Sequence, residues 1–322
     1  MVASGQSALQ GEIFASPSDR SMPARWAHGI WKFIRTKPLG TFGAFIVLVI
    51  IFLAIFAKYI APYNYDHQVI SARLQSPSWK HLMGTDEQGR DMLSRIIYGA
   101  RIAAWVGFGS TLLATFIASV VGMISGFFSG TVDNIIQRIV DVFIAFPALI
   151  LLLAIISILG TPTAPLHLGV TTVSPSDQRM VQIIGVLGLL FSFGSSRIIR
   201  SATLAVRNNL YVEGARTVGA SDTRIILQYI LPNVMPTIII IASLFLAGAI
   251  LAEATLSFLG FGIPPPAPSW GAMLSGRARS LMRVDPWLAV WPGVAISLAV
   301  YGFNMLGDAL RDVLDPRLRG SR

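Results

Sequence analysis

An all-α integral membrane fold with six transmembrane helices is the class this chain predicts, and three observations predict it. Charged residues make up 13% of the chain, against about a quarter in an average soluble domain. Apolar runs free of acidic and basic side chains cover residues 39–57, 102–132, 142–176, 180–196, 225–252 and 286–307. Each reaches or approaches the ~20 residues needed to cross a ~30 Å hydrocarbon core. Basic residues flank these runs rather than forming one stripe, so the net charge of +9 reads as a topology signal. Aromatic and basic residues do not interleave as nucleic-acid binding would need, so no nucleic-acid partner is expected.

The first run follows a polar segment (1–37) and has no small-residue cleavage pattern after it, so an uncleaved anchor is expected at 38–60. Arg20, Arg25, Lys32, Arg35 and Lys37 crowd ahead of it, which places the N-terminus in the cytosol. Alternation then puts 61–101 and the Pro264-Pro-Pro-Ala-Pro268 loop outside, with the 197–230 segment and the 311–322 tail inside. In the second run Ser110, Ala114, Ala118, Gly122, Gly126 and Gly130 recur every four residues. Small residues let helix backbones approach closely in lipid. The stripe fits either a subunit interface or ordinary contact within the chain. Thr161-Pro-Thr-Ala-Pro165 marks a loop inside the third run, and Pro147 predicts a kink there. Arg138 and Asp141, three apart, are placed to pair on one helix face.

Glu253 lies late in the fifth run, near its outer mouth if that span starts at Leu231. An ionisable group at membrane depth suggests a translocation path or gate, together with Ser257 and Pro147. A paired structural carboxylate is the other reading. There is no cysteine, and His28, His67, His81 and His167 have no metal-ligand spacing, so no metal site, thiolate catalysis or resident cofactor is expected. No lysine follows a glycine, so the chain has no P-loop for ATP.

The 197–232 segment is a polar island carrying Arg197, Arg200, Arg207, Glu213, Arg216, Asp222 and Arg224 between two apolar runs. It predicts helix–turn–helix: a helix over 208–218, Gly219 in the left-handed C-terminal position, and Ser221 capping the next helix. Gly214, Ala215, Gly219 and Ala220 would form a small face beside Glu213 and Arg216, suited to insertion into a partner's groove. A solvated connector is the plain alternative.

Glu213-Gly-Ala215, then Gly219, then Leu231-Pro232 resembles the EAA loop of permease subunits in bacterial ABC importers. Two positions depart from that pattern: Gly214 replaces an alanine, and Tyr229 stands where isoleucine is usual, with Ile230 adjacent. Gly84-Thr-Asp-Glu-Gln-Gly-Arg-Asp91 with Ser94-Arg95 and Gly99-Ala-Arg101 looks like the segment before the second span of dipeptide and oligopeptide permeases. Asp133, Arg138, Asp141 and Pro147, the 253–262 and 268–274 blocks, and Asn304–Arg317 are similar to further motifs of that group. Together they cover roughly residues 30–318 and point to the C-type subunit.

The resemblance implies a MetI-like bundle in the bacterial cytoplasmic membrane, with a five-helix core over 102–310. It implies a second permease subunit, two ATPase subunits that bind ATP and Mg²⁺, and an extracytoplasmic substrate-binding protein. ATPase closure would act on the 206–224 turn through Glu213, Gly214, Ala215, Arg216, Gly219, Ala220, Ser221, Leu231 and Pro232. The outer loops, with Trp270 and Trp287, would dock the binding protein or anchor in headgroups. The expected cargo is a di- or oligopeptide, with nickel complexes, glutathione or antimicrobial peptides as alternatives. A membrane-embedded enzyme lacks converging ionisable groups, and a stand-alone channel or secondary transporter lacks repeats and mid-membrane charge.

Overall fold

The computed structural model describes residues 31–314 except 32, 169–170, 277–279 and 284. Arg20, Arg25 and Lys32, three of the basic residues that set the expected orientation, lie outside the described residues, as do the N-terminal segment before 31 and the tail from 315. Among the described residues, five helices are long and apolar enough to cross a membrane: Pro38–Ile60, Met92–Phe128, Pro175–Arg207, Asp222–Phe258 and a last one starting at Trp287. A sixth crossing is made if the bent pair Gly130–Ile144 and Ala148–Leu159 counts as one span.

That pair corrects the expected kink. The two helices meet at 87°, and Pro147 is the N-cap of the second rather than a residue inside one helix. Proline has no N–H and disfavours helical geometry in the residue before it, so the chain breaks instead of bending. The loop that follows holds a small antiparallel hairpin, Leu166–Leu168 with Thr171–Val173, which the all-helical reading omitted. Two spans also outrun their apolar cores. Met92–Phe128 takes in Arg95 and Arg101, and Pro175–Arg207 takes in Arg179, Arg197 and Arg200.

The Met92–Phe128 and Pro175–Arg207 helices form the most extensive contact in the bundle. The first span lies against the last, with Gly43 so close that an added Cβ would sit 2.8 Å from the Gly302 carbonyl oxygen. Its other face leaves Leu39, Phe42, Phe45, Leu48, Phe52 and Ile55 exposed at three- and four-residue steps, an apolar stripe that the described residues of this chain leave largely uncovered. Lys37 and Asp312 meet at 2.5 Å, so the first span's start and the last span's end lie side by side. The helices run alternately between two ends. One carries the 208–231 turn; the other carries the 61–91 and 259–286 segments.

Candidate functional site: a docking turn and its supports

The turn begins where Asn208 ends the Pro175–Arg207 helix and Asn209 opens the short helix Leu210–Thr217. This helix is shorter than the expected 208–218 because the two asparagines interrupt the winding. Val212 and Ala215, three apart, share its inward face and are buried in a cluster with Phe127, Ile199, Ile225 and Val234. Glu213 and Gly214 point outward, flanked by Leu210 and Val218, each 84% exposed. The expected small face is therefore divided: Ala215 and Ala220 pack inward, whereas Gly214 and Gly219 are exposed. Helical periodicity, which turns neighbouring positions about 100° apart, forces that division.

Gly219 adopts φ +81 and closes the helix. Its N–H donates to Arg216 O at 3.0 Å, and the Ala220 N–H donates to Ala215 O at 3.0 Å, the paired bonds of a Schellman stop. Ser221 is the N-cap of Asp222–Ile225, but its side chain makes no cap bond, contrary to expectation. A π-helical stretch, Ile226–Ile230, follows and leads into Leu231–Phe258. It lies just ahead of Pro232 and Pro236, which cannot donate backbone bonds. Leu231 is partly buried and Pro232 exposed.

Arginines fasten this turn to the bundle. Arg207 donates to Phe127 O at 2.9 Å and to Ser129 Oγ, satisfying the free carbonyl end of the second span. The Arg216 guanidinium lies 5.1 Å from the centre of the Phe127 ring. Arg200 binds Asp133 through two nitrogens, with Nε 2.6 Å from Oδ1. Ser125 Oγ donates to the same carboxylate at 2.5 Å, and Gln137 donates to Ser125 Oγ at 3.0 Å. Asp141 pairs with Arg197 across the helices, and not with Arg138 as spacing suggested. The inter-helix contact wins because Arg197 approaches from the facing span.

Ser110, Ala114, Ala118, Gly122 and Gly126 are all buried. An added Cβ would sit 2.6 Å from Ser196 O at Gly122 and 2.9 Å from Arg200 O at Gly126. The stripe from Gly122 to Gly126 thus serves contact between the second and fourth spans of this chain. Gly130 leaves it, starting the next helix at φ +59.

At the opposite end the 61–101 segment is an ordered collar. Asp91 caps the second span through Ser94 N at 2.8 Å and also meets His81 Nδ1 at 3.0 Å. Arg90 Nε donates to Asp86 Oδ2 at 2.6 Å. Trp270, expected at a docking or headgroup surface, is instead buried: its ring lies against Gly99 and its Nε1 donates to Ile96 O at 3.0 Å. Trp287 remains partly exposed. Glu253 is 2% exposed, and its Oε1 accepts from both Ser257 Oγ and Ser269 Oγ at 2.7 Å.

Arg179 is a supporting residue that no sequence motif marked. It is 1% exposed and donates to Gly160 O at 2.9 Å, Phe261 O at 2.8 Å and Ile156 O at 3.3 Å. One guanidinium therefore serves the carbonyl-rich ends of two other spans. The available signal was an arginine one residue ahead of an apolar run, beside the Pro-rich loop.

Comparison with known proteins accords with this architecture. Residues 118–320 match the family described as binding-protein-dependent transport system inner membrane component. Residues 25–77 match the N-terminal TM domain of oligopeptide transport permease C. The chain is 37% identical over 317 residues to a glutathione transport system permease protein, GsiD, of Escherichia coli O6:K15:H31, covering 98% of this chain and 97% of that one. The Shigella boydii protein of the same name is 37% identical over 295 residues, 91% of each chain. A solved inward-facing MetNI methionine ABC transporter shares the fold, with TM-score 0.52 and 18% identity over 70% of this chain and 98% of that one. The chain belongs to the family of inner-membrane components of binding-protein-dependent transport systems, as a dipeptide/oligopeptide-type permease subunit. It is a multi-pass protein of the bacterial cytoplasmic membrane with a MetI-like fold.

Proposed function

We propose that this ABC importer permease carries di- and oligopeptides inward as one of two permease subunits, driven by two ATPases that grip the 206–224 turn. The observation that carries this reading is the two-sided Leu210–Thr217 helix. Its inner face is buried among the ends of three spans, while Leu210, Glu213, Gly214 and Val218 stand in solvent. A push on such a helix reaches Phe127, Ile199 and Val234 directly, so it moves packed spans as bodies. This end then faces the cytosol, and the opposite collar faces the binding protein. The chain itself is not catalytic and holds no cofactor; ATP and Mg²⁺ belong to the ATPases.

At the outer end, Glu253 with Ser257 and Ser269 would serve as a latch that opening must break. Pro147 would hinge the broken third span. Peptide cargo is favoured over nickel complexes by the likeness to a glutathione permease, since glutathione is itself a small peptide.

The test is reconstitution with the partner permease, ATPases and binding protein. Stimulation of ATPase activity by di- and tripeptides or glutathione is expected; stimulation by nickel chelates alone would replace the cargo assignment. Glu213→Lys is expected to separate ATP hydrolysis from uptake without loss of assembly.

A further inference from the structure

At the collar end a cleft of ≈ 460 Å³ opens between four separate segments. Tyr65 comes from the collar, Tyr98, Arg101 and Trp105 from the start of the second span, Asp177 from the start of the fourth, and Pro268 from the Pro-rich loop. That volume lies within the roughly 300–1,000 Å³ of small-molecule sites. Its chemistry is bipolar. Among the described residues no carboxylate pairs with the Arg101 guanidinium. Asp177 takes a bond on Oδ2 from Ser174 Oγ at 2.7 Å, and no protein donor among the described residues reaches Oδ1. The walls are aromatic: Tyr65 and Tyr98 meet edge to face at 4.9 Å. The Tyr65 hydroxyl is pushed up from its usual pKa, first by burial, then by Asp66, Tyr98 and Asp177, with Arg101 opposing. Both charges of the cleft are thus felt at its aromatic wall.

We propose that this cleft is a transient site for a short zwitterionic peptide, with Arg101 receiving the terminal carboxylate and Asp177 the terminal ammonium. The site rests on the peptide-importer reading and adds a place where the permease itself touches cargo. Separated opposite charges recognise the two ends of a free peptide, and the aromatic faces accept varied side chains without selecting among them. A guanidinium binds a carboxylate by two parallel bonds, which a C-terminal amide cannot reproduce.

The experiment measures equilibrium binding of radiolabelled dialanine, dialanine amide and N-acetyldialanine to the assembled transporter without its binding protein. Wild type is expected to bind dialanine about tenfold or more tightly than either blocked form. Arg101→Gln should remove discrimination against the amide only, and Asp177→Asn discrimination against the acetylated form only. Such selective losses cannot come from misfolding, which would weaken all three ligands together. Wild type that binds none of them, or variants that keep both preferences, would overturn the site. Dialanine bound by wild type but not taken up by the complete transporter would instead overturn the peptide-importer reading.

Discussion

Asp133 and Arg200 form a two-pronged ion pair between the Gly130–Ile144 helix and the Pro175–Arg207 helix, with Arg200 Nε 2.6 Å from Asp133 Oδ1. The pair lies seven residues before Arg207, which holds the end of the second span. Three helix ends are therefore tied together directly above the proposed docking turn. Asp133→Ala leaves Ser125 and Arg200 without their acceptor, and should lower stability by about 1–3 kcal/mol. Thermal unfolding of the solubilised transporter checks this; an unchanged transition would mean that the pair is not held in solution.

Glu253 accepts from two hydroxyls, Ser257 on its own helix and Ser269, 16 residues on, in the segment that follows. Glu253→Ala should destabilise by about 1–3 kcal/mol, because both hydroxyls lose a buried acceptor. Ser269→Ala removes the cross-loop bond together with the longer cap contact from Ala272 N at 3.4 Å, and should raise basal ATPase activity if the cross-loop bond latches the closed state. Basal hydrolysis that is unchanged in Ser269→Ala would mean that the bond does not latch.

The fold was legible in the sequence wherever one periodic signal ran unbroken. The 39–57 run became a single helix, and so did the 286–307 run, although Pro292 lies inside it. At Pro147 the same logic named the right residue but not the 87° break, since the outcome depends on what Ala148–Leu159 packs against. The turn was legible through Gly219, whose left-handed backbone is a local property. Which of its faces turns outward was not, because burial of Ala215 is decided by Phe127 and Ile199, which come from other spans. Arg179 was illegible for a related reason: its partners are backbone carbonyls, which carry no residue signature.

Gly122 and Gly214 make a contrasting pair. An added Cβ at Gly122 would press 2.6 Å from Ser196 O, so Gly122→Ala should cost about 1–3 kcal/mol and loosen the second and fourth spans. At Gly214 nothing lies within 4 Å, so Gly214→Ala should stabilise the short helix by about 0.5–1 kcal/mol. If Gly214→Ala nevertheless weakens ATPase attachment, the obstruction lies in the partner's groove. Pull-down of the ATPases beside thermal unfolding gives both answers.

Gly219 must adopt φ +81 with nothing near its missing Cβ. Gly219→Ala should therefore cost about 1–2 kcal/mol from backbone strain alone, without a clash. The loss should concentrate in the turn. Hydrogen exchange is expected to speed up over 210–225 while the spans stay protected.

In the proposed function, the Leu210–Thr217 helix is where the ATPases hold this chain. Because the chain has no cysteine, a single introduced thiol reports its position without background. Thr217→Cys sits on the exposed face of the turn, and Trp79→Cys, at a position 98% exposed, sits on the opposite collar. In the assembled transporter a short thiol cross-linker should join Thr217→Cys to an ATPase subunit and leave Trp79→Cys unlinked to either ATPase. Cross-linking of the ATPases to Trp79→Cys, or none to Thr217→Cys in an intact complex, would contradict the account.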